Sequence, residues 1–570
     1  MERSMRTPLV AAGQPTLAQV LDKISGDADL PLHRRRNLCC SLRAVGKITG
    51  KDLSLLPAVA GSLRSIFKDL HPQHCGLSLR RIGNIKSDVL FALRHAGFVG
   101  KSRQYRLPLS AEWQRLWDEA AGAGHLRRYV SRFVHYCSAN GIRPGEVNDR
   151  TLAEFKQALL DDSLMKDPTT THQGIIRIWN KLVDAVPTWP QTRLTVPRYR
   201  ESYSIPLDRF PRTFRVEVDA FFDRLQGANI LDDQGPSRPL KPKTIKSRRY
   251  RLRQIVSALV LSGWKMEQIK SLAQIVELDA AKTALRFYLN RSGGKKTSQI
   301  HGLAVLIKVI AKHGVKVDQM HLDALADFCR KMDPSITGMT DKNRGRLRQF
   351  DDPKNVKLLL DFPIRVFEKI KRTDQGRRQD AVMMQIALAV ELLLMSPMRA
   401  ENLVALNIQR HLQRSRAGKA GVVHLVIPGD EVKNGEPLEF TLPLAAVKLL
   451  DLYLRDYHPR LAGPGSPWLF PGMNGRPKTR ELFGDQVSKH VYKATGLRVN
   501  LHLFRHIAAK LYLDRNPGGY EVCRRILGHR SMETTTRFYA GMETAAASRH
   551  FDEEILKLRH SLHDGRQSSA

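Results

Sequence analysis

Helical periodicity fills the chain before about residue 350 and restricts the possible folds more than any other feature of the sequence. One buried helix face is marked by apolar residues at the i, i+3, i+4, i+7 and i+8 positions: Leu126, Tyr129, Val130, Phe133 and Val134. Residues 252–259 repeat this spacing, and residues 38–45 give a weaker version of it. After each run, a glycine-containing break leads to another amphipathic helix. We therefore predict tandem all-helical modules in this part of the chain.

A different pattern begins after Asp351. The sequence predicts a long apolar helix over 383–395, two short strands over 422–428 and 438–443 joined by a polar turn, and then further helices. This combination indicates one small antiparallel sheet inside a helical domain. The predicted fold class is therefore mainly α with a small antiparallel sheet in the C-terminal domain (α+β), preceded by N-terminal tandem all-helical modules.

The length of the chain, 570 residues, exceeds what a single hydrophobic core supports, so we expect several domains. A proline-rich stretch over 187–211 and an interrupted helical pattern over 333–352 supply two of the breaks. The predicted domains are helical modules with possible DNA-binding roles over 1–110 and 111–205, a helical module over 206–345, and a mixed domain over 346–570.

The chain is strongly basic, because lysine and arginine outnumber aspartate and glutamate by 93 to 56 and give a formal charge of +37. Such a surplus favours a polyanionic partner, with nucleic acid first and an anionic membrane second. Residues 238–253 hold eight Lys or Arg and no acid, and residues 80–106 hold seven Lys or Arg against one Asp. A solvated helix face is the alternative explanation of each run. We expect contacts with the phosphates of double-stranded DNA from eight of these residues: Arg238, Lys241, Lys243, Lys246, Arg248, Arg249, Arg80 and Arg81.

Other features of the sequence disfavour several classes of protein. The six cysteines are scattered without a CxxC pair, which argues against a disulfide scaffold and against a zinc site, and no metal site is predicted. No apolar run approaches the roughly 20 residues that span a bilayer, and the N-terminal residues do not form a secretory signal. We therefore expect a cytoplasmic protein without a membrane partner.

The C-terminal region contains the residue types that are needed to cut a phosphodiester without a metal. This chemistry requires a nucleophile, cations that neutralise the non-bridging oxygens, and an acid that protonates the leaving oxygen. The candidates, in chain order, are Arg399, Lys433, His502, Arg505, His529 and Tyr539. His502 and Arg505 are three residues apart, so on a helix both project from one face. Lys433 lies in the polar turn between the two predicted strands.

Nearby residues of the same type compete with several of these candidates, and taken singly the residues leave the choice open. Arg399 could pair with Glu401 at a helix end instead of binding a ligand. The other rivals are Lys419 and Lys448 for Lys433, His506 for His502, and Tyr512 and Tyr520 for Tyr539.

The order of the six residues resembles the tyrosine recombinase, or phage integrase, family, and the resemblance covers roughly residues 350–560. The family's motif runs from an arginine to a lysine on a β-hairpin, then His-x-x-Arg, Leu-Gly-His and a tyrosine near the C-terminus, and every position is filled here in order. Two departures stand out. Asn402 occupies a position that is usually acidic, and the spacing from His529 to Tyr539 is at the long end of the family's range.

The resemblance implies how three of these residues would act on DNA. Arg399 and Arg505 would clamp the scissile phosphate through their planar guanidinium groups. Tyr539 would attack phosphorus, leaving a 3′-phosphotyrosine and a free 5′ hydroxyl. Because the covalent link conserves the bond energy, the resemblance implies neither ATP nor a metal nor any other cofactor.

The resemblance also assigns the remaining candidates. Lys433 would protonate the leaving 5′ oxygen, His502 would handle the tyrosine proton or support the phosphate, and His529 would hydrogen-bond a phosphate oxygen. The module over 206–345 would be the core-binding domain that closes around DNA opposite the catalytic domain.

We therefore expect a site-specific DNA recombinase for the integration, excision or transposition of a mobile element. It would act as a homo-tetramer on DNA, with possible accessory recombination proteins, and associate with the bacterial nucleoid when bound. A non-catalytic DNA-binding protein that retains the fold is the alternative, and a type IB topoisomerase activity is a third option.

Overall fold

The structure is a computed structural model that describes residues 13–100, 107–197, 203–227, 239–335, 338–415, 421–472, 475–539, 548 and 551–559. The chain divides into two compact units. The first unit comprises Met1–Arg198, Lys354–Val390 and Glu481–Asn500. The second comprises Tyr199–Pro353, Glu391–Arg480 and Leu501–Ala570.

Before residue 198, all the long elements are helices, as the apolar periodicity predicts. They are α1 (Leu17–Ser25), α2 (Leu32–Thr49), α3 (Ala60–Asp69), α4 (Pro72–Cys75), α5 (Leu79–His95), α6 (Ala111–Glu119), α7 (Gly124–Ala139), α8 (Asp149–Asp161) and α9 (Pro168–Ala185). Polar caps set several of their starts. Thr16 and Gln19 form a reciprocal capping box on α1, and the Asp167 side chain accepts from the Thr170 amide before α9.

Two apolar clusters form the core of this region. One joins buried residues between Leu17 and Val99 and also includes Leu164. The other runs from Trp113 to Leu194, and its three tryptophans, Trp113, Trp179 and Trp189, meet edge to face with ring centroids 5.1–6.5 Å apart. The predicted boundaries at 110 and 205 stay predictions.

The next region is again helical. It comprises α10 (Arg212–Leu225), α11 (Pro242–Leu261), α12 (Leu272–Val276), α13 (Leu278–Arg291), α14 (Ser298–Ile310), α15 (Gln319–Met332) and α16 (Asp341–Leu347). One apolar cluster extends from Phe210 to Cys329 and holds α10 to α15 together. Pro242 occupies the first turn of α11, where its missing N–H costs no hydrogen bond.

The remaining elements include the sheet. They are α17 (Pro353–Leu360), α18 (Phe362–Thr373), α19 (Arg378–Met395), α20 (Ala400–Val404), α21 (Ile408–His411), β1 (Leu412–Ser415), β2 (Val422–Ile427), β3 (Leu438–Thr441), α22 (Leu444–Leu452), α23 (Arg480–Thr495), α24 (Leu503–Leu513), α25 (Tyr520–Leu527) and α26 (Met532–Tyr539). The sheet is antiparallel in the order β1-β2-β3. The predicted fold class, mainly helical with a small antiparallel sheet, is confirmed.

The segment after residue 338 contacts two helices of the second unit. Helix α16 packs against α24, and Asp351 pairs with Lys510 on α24 at 2.8 Å. Gly338 has φ +76°, and a Cβ there would lie 2.6 Å from the carbonyl oxygen of Arg537 on α26. The interruption predicted over 333–352 is therefore wrong for residues 341–351, which form α16 and a 3₁₀ turn.

The described ranges contain neither a membrane-spanning helix nor a cluster of metal ligands. Within these ranges, none of the helices combines the length and apolar character that a bilayer span requires. No group of three or more His, Cys, Asp or Glu side chains in the same ranges could hold a metal ion. All six cysteines are free.

Candidate active site

Four of the six predicted catalytic residues lie at helix ends within the second unit, and a fifth, Tyr539, is the last described residue of α26. Arg399 precedes α20, His502 precedes α24, Arg505 lies in the first turn of α24, and His529 follows α25. Helix ends carry backbone groups that have no partner within the helix, so side chains can bind them. Side chains from one of these segments can therefore bind backbone groups of another.

Arg505 is almost fully buried, with 3% of its surface exposed. Its Nη1 donates to the carbonyl oxygen of Pro397 at 2.8 Å, and its Nη2 donates to that of Leu527 at 2.6 Å. Leu527 is the last residue of α25, where carbonyls lack helical partners. Burial first, and then the charge of Arg399, lower the pKa of Arg505 to about 10. The guanidinium therefore stays charged at neutral pH and is fixed in place.

His529 contacts Arg505 directly. The Nη2 of Arg505 lies 3.3 Å from Nε2 of His529, and Nδ1 of His529 lies 3.0 Å from Oγ1 of Thr535. A guanidinium only donates, so Nε2 is the acceptor and Nδ1 carries the proton. Burial, followed by the charges of Arg505 and Arg399, lowers the pKa of His529 to about 4. The ring is therefore neutral in this state.

The Tyr539 side chain is 1% exposed, and its hydroxyl lies 3.0 Å from Nδ1 of His506 on α24. The His529 ring lies nearly parallel to the phenol, at 6.5 Å and 8°. Burial raises the pKa of Tyr539, while the charge of Arg505 opposes this shift. The phenol thus lies between two histidines and within the field of a buried guanidinium.

His502 lies on the same side of α24 as His506. The two rings are 5.0 Å apart and nearly perpendicular. Burial, and then the charges of Arg505 and Arg399, lower the pKa of His502. The structure therefore brings His502 next to His506, and in the described part of the chain no hydrogen bond joins it to Tyr539.

Arg399 is half-buried and is held by the loop between β2 and β3. Its Nη1 donates to Oδ1 of Asn434 at 3.4 Å, while Nδ2 of Asn434 donates to the carbonyl oxygen of Gly528 at 2.8 Å. Burial lowers the pKa of Arg399. Asn434 thus links the first arginine to the turn that carries His529.

Glycines let these two turns approach each other. Gly528 has φ +57°, and a Cβ on it would lie 2.4 Å from Cδ2 of Leu438. Within the hairpin loop, a Cβ on Gly429 would lie 2.4 Å from the carbonyl oxygen of Gly435. Larger residues at Gly528 or Gly429 would therefore push the loop away from the arginines.

Lys433 lies in this loop, as the sequence predicts, next to Asn434. Its side chain is exposed, and across the described ranges its ammonium has no hydrogen bond or ion pair. The structure therefore brings the backbone of Lys433 to the site but not its side chain. The other five predicted residues do come together.

A comparison with known families identifies the region that contains all six residues. Residues 365–545 match the sequence model of the phage integrase family. The chain carries a phage integrase family domain. The match supports a site-specific recombinase or integrase. No curated protein matches the chain.

The solved structures that are similar to the chain include two recombinases and one integrase. They are XerH site-specific recombinase bound to difH substrate in a pre-cleavage complex (16% identity, 60% of this chain, 99% of that chain, TM-score 0.36), Tn1549 transposon integrase in complex with circular intermediate DNA (15%, 59%, 99%, 0.35) and XerA recombinase (16%, 60%, 98%, 0.23).

Five predicted DNA-contacting residues lie on or just before α11, in the same unit as the six candidate catalytic residues of the phage integrase domain. Lys246 is exposed. Arg248 is half-buried, and burial followed by the charge of Arg251 lowers its pKa. Arg249 pairs with Asp219 and stacks on Phe222 with its guanidinium 4.9 Å from the ring centroid.

The two lysines at the start of α11 contact residues of the phage integrase domain. Nζ of Lys243 lies 2.6 Å from Oε1 of Glu401, which also pairs with Arg480 at 3.0 Å. Nζ of Lys241 donates to the carbonyl oxygen of Asp430 at 3.2 Å. Glu401 therefore pairs with Lys243 and Arg480. The described hydrogen bond of Arg399 goes instead to Asn434.

The other predicted DNA-contacting residues lie elsewhere. In the first unit, Arg80 on α5 is exposed, and Arg81 donates to Sγ of Cys40 at 3.6 Å. Arg238 lies outside the described residues. Contact of all eight residues with DNA stays a prediction.

Sequence reasoning missed three residues that hold the site together. His506 was only a rival of His502, yet it is the residue that binds the phenol. Asn434 follows Lys433 in a polar turn, where nothing in the sequence distinguishes a bridging amide from a solvated one. Thr535 is one of three consecutive threonines, and only the fold selects the one facing His529.

Proposed function

We propose that this protein is a site-specific DNA recombinase that cuts and rejoins DNA through a 3′-phosphotyrosine on Tyr539. The observation that carries the proposal is the grouping of Tyr539, Arg505 and His529, with Arg399 close enough to lower the pKa of both Arg505 and His529. The family match over residues 365–545 supports the same reading.

Within the described residues, neither Arg399 nor Arg505 has an acidic partner, which makes the site suited to a phosphate. Arg505 makes three described hydrogen bonds, all to neutral acceptors. The described hydrogen bond of Arg399 goes to the neutral amide of Asn434. In the part of the chain that the structure describes, no carboxylate therefore pairs with either positive charge. A phosphodiester would supply the missing negative charge and gain charge-assisted hydrogen bonds.

In the proposed reaction, the Tyr539 oxygen forms a bond to phosphorus as the bond from phosphorus to the 5′ oxygen breaks. Lys433 supplies the proton to the leaving 5′ oxygen, reaching in from its exposed position when DNA is bound. His502 supports the phosphate together with the arginines. The arriving phosphate also raises the pKa of His529, so that its Nε2 can donate to a phosphate oxygen.

The products of the first step determine how the reaction ends. The free 5′ hydroxyl of a partner strand attacks the phosphotyrosine and restores Tyr539, so no external energy source is needed. Exchange of four strands requires four active sites, which makes a homo-tetramer on double-stranded DNA the expected assembly. We propose the integration or excision of a mobile element as the biological role.

Formation of a covalent adduct tests the proposal. Duplexes are first selected from a random library by binding to Tyr539→Phe, and the selected sequence is then nicked near its centre to trap the intermediate. We expect wild type to form a protein–DNA adduct that survives boiling in detergent, and Tyr539→Phe to form none. Tyr512→Phe, a change of the rival tyrosine on α24, is the matched control and keeps the adduct.

Two other outcomes would contradict the proposal. Tight binding by wild type without any adduct would favour a DNA-binding protein that retains the fold without its chemistry. Relaxation of supercoiled DNA without sequence preference would favour a topoisomerase.

A further inference from the structure

The most specific contact of the nucleophile is with a histidine outside the family motif. Nδ1 of His506 lies 3.0 Å from the hydroxyl of Tyr539, and the two ring centroids are 5.7 Å apart. Both side chains are buried, with 6% and 1% of their surfaces exposed. A buried hydroxyl with one fixed partner has a fixed direction.

His506 is surrounded by positive or neutral groups on each element that faces it. Arg505 lies on α24 with His506, and His502 is the residue that precedes this helix. His529 lies on the turn after α25, and Phe538 and Tyr539 lie on α26. Burial, and then the charges of His502, Arg505 and His529, lower the pKa of His506 to about 3. The imidazole is therefore neutral, and a neutral ring has one nitrogen free to accept a proton.

A bound phosphate would change this balance. Its negative charge opposes the effect of Arg505 and makes a protonated His506 less costly. At the same time, the phenol becomes more acidic as its oxygen bonds to phosphorus. Both changes favour movement of a proton along the existing 3.0 Å contact.

We propose that His506 orients the phenol of Tyr539 and accepts its proton at Nδ1 while the oxygen–phosphorus bond forms, an inference that rests on the proposed recombinase function. The O–H bond of Tyr539 breaks, its proton moves to His506, and the proton returns when the phosphotyrosine is resolved. His502 is less suited to this task, because no described hydrogen bond links it to the phenol.

Single-turnover adduct formation on the selected, nicked duplex tests the assignment. We expect His506→Ala to slow the reaction about 100-fold or more while DNA affinity stays within about twofold. His506→Asn places an amide oxygen where Nδ1 lies, so it can orient the phenol but cannot take the proton near neutral pH. We expect it to recover only part of the rate, and that rate to rise with pH as solvent replaces the missing base.

A matched control comes from a second buried Tyr–His pair in the same unit. His458 lies 5.8 Å from Tyr453, ring to ring, and its Nε2 lies 2.9 Å from the carbonyl oxygen of Trp468. His458→Asn should leave the rate and its pH profile unchanged. Unchanged DNA affinity in each variant shows that the fold has survived.

Three results would overturn the assignment of His506. His506→Ala could cleave as fast as wild type, or faster. This result would show that the contact only holds the phenol between reactions and takes no part in cleavage. His506→Asn could restore the full rate with the wild-type pH profile, which would limit His506 to orientation. Absence of any wild-type adduct would instead contradict the recombinase function itself, and the role of His506 with it.

Discussion

Oε1 of Glu401 lies 2.6 Å from Nζ of Lys243, a contact that joins a lysine predicted to bind DNA to the helix that follows Arg399. Lys241, two residues earlier, donates to the carbonyl of Asp430 in the loop that holds Lys433. Both lysines thus contact residues of the phage integrase domain. A phosphate that binds Lys243 must compete with the carboxylate of Glu401.

Glu401→Gln should therefore strengthen DNA binding. An exposed ion pair contributes about 0.2–1 kcal/mol, so we expect an affinity gain of about 1.4- to fivefold at low salt. Fluorescence anisotropy with the selected duplex measures it. Glu267→Gln removes an equal charge from an exposed position elsewhere and is the control. Equal gains in the two variants would attribute the effect to net charge alone.

Lys433 has an exposed side chain, so its proposed role as the acid needs a chemical test. Lys433→Ala should slow adduct formation about 100-fold or more on ordinary DNA. Replacing the bridging 5′ oxygen by sulfur should restore the rate, because a thiol with a pKa of about 8.5 leaves without a proton. Lys448→Ala, a change of the rival lysine on α22, should have no effect on either substrate. Failure of the sulfur substrate to rescue Lys433→Ala would count against the acid role.

Gly528 combines a left-handed backbone with a close neighbour. Gly528→Ala would place a Cβ 2.4 Å from Cδ2 of Leu438 at φ +57°, so we expect a loss of about 2–4 kcal/mol in the free energy of unfolding. Gly518→Ala has φ +83° with no atom within 4 Å, and should lose only about 1–2 kcal/mol for backbone strain. Urea unfolding compares the two. Similar losses would show that the turn around Gly528 moves freely away from the hairpin.

The buried histidines make the stability of the protein depend on pH. An unfolded histidine has a pKa of about 6.5, whereas that of folded His506 is about 3, so below pH 6.5 the unfolded chain binds the extra proton. The free energy of unfolding therefore falls as the pH is lowered from 6.5 toward 3. At pH 5 the loss from this group is about 2 kcal/mol.

His506→Asn should remove that part of the pH dependence. Urea unfolding at pH 7 and pH 5 provides the comparison, and the variant should lose about 2 kcal/mol less than wild type between these two conditions. His33→Asn, at an exposed position, should behave like wild type. An identical loss in wild type and His506→Asn would mean that His506 is already protonated in the folded protein.

The sequence allowed prediction of what depends on local pattern. Burial alternates along the strands over 422–427 and 438–441. The sequence of β3, LEFT, alternates apolar and polar residues in the same way, whereas that of β2, VVHLVI, is apolar except at His424. Strand β1 was missed because its sequence, LQRS, buries only Leu412 and is stabilised by pairing with β2. Helix α16 was missed because its sequence, DKNRGRL, is polar and contains Gly345. It depends on the Thr340 cap and on packing against α24.

For the candidate site, residue order in the chain was enough to find five residues that meet in space. It could not find Asn434 or choose between His506 and His502, because hydrogen-bond partners depend on the direction of side chains. It also could not anticipate that Glu401 binds Lys243 rather than Arg399, since that contact joins segments more than 150 residues apart.

The residues between 338 and 351 contact both helices that carry the phenol–imidazole pair, α26 and α24. Gly338 packs against the backbone of Arg537, two residues before Tyr539, and Asp351 binds Lys510, one helical turn beyond His506. A displacement of residues 338–351 would therefore be transmitted to the helix of the nucleophile and to the helix of its partner at the same time.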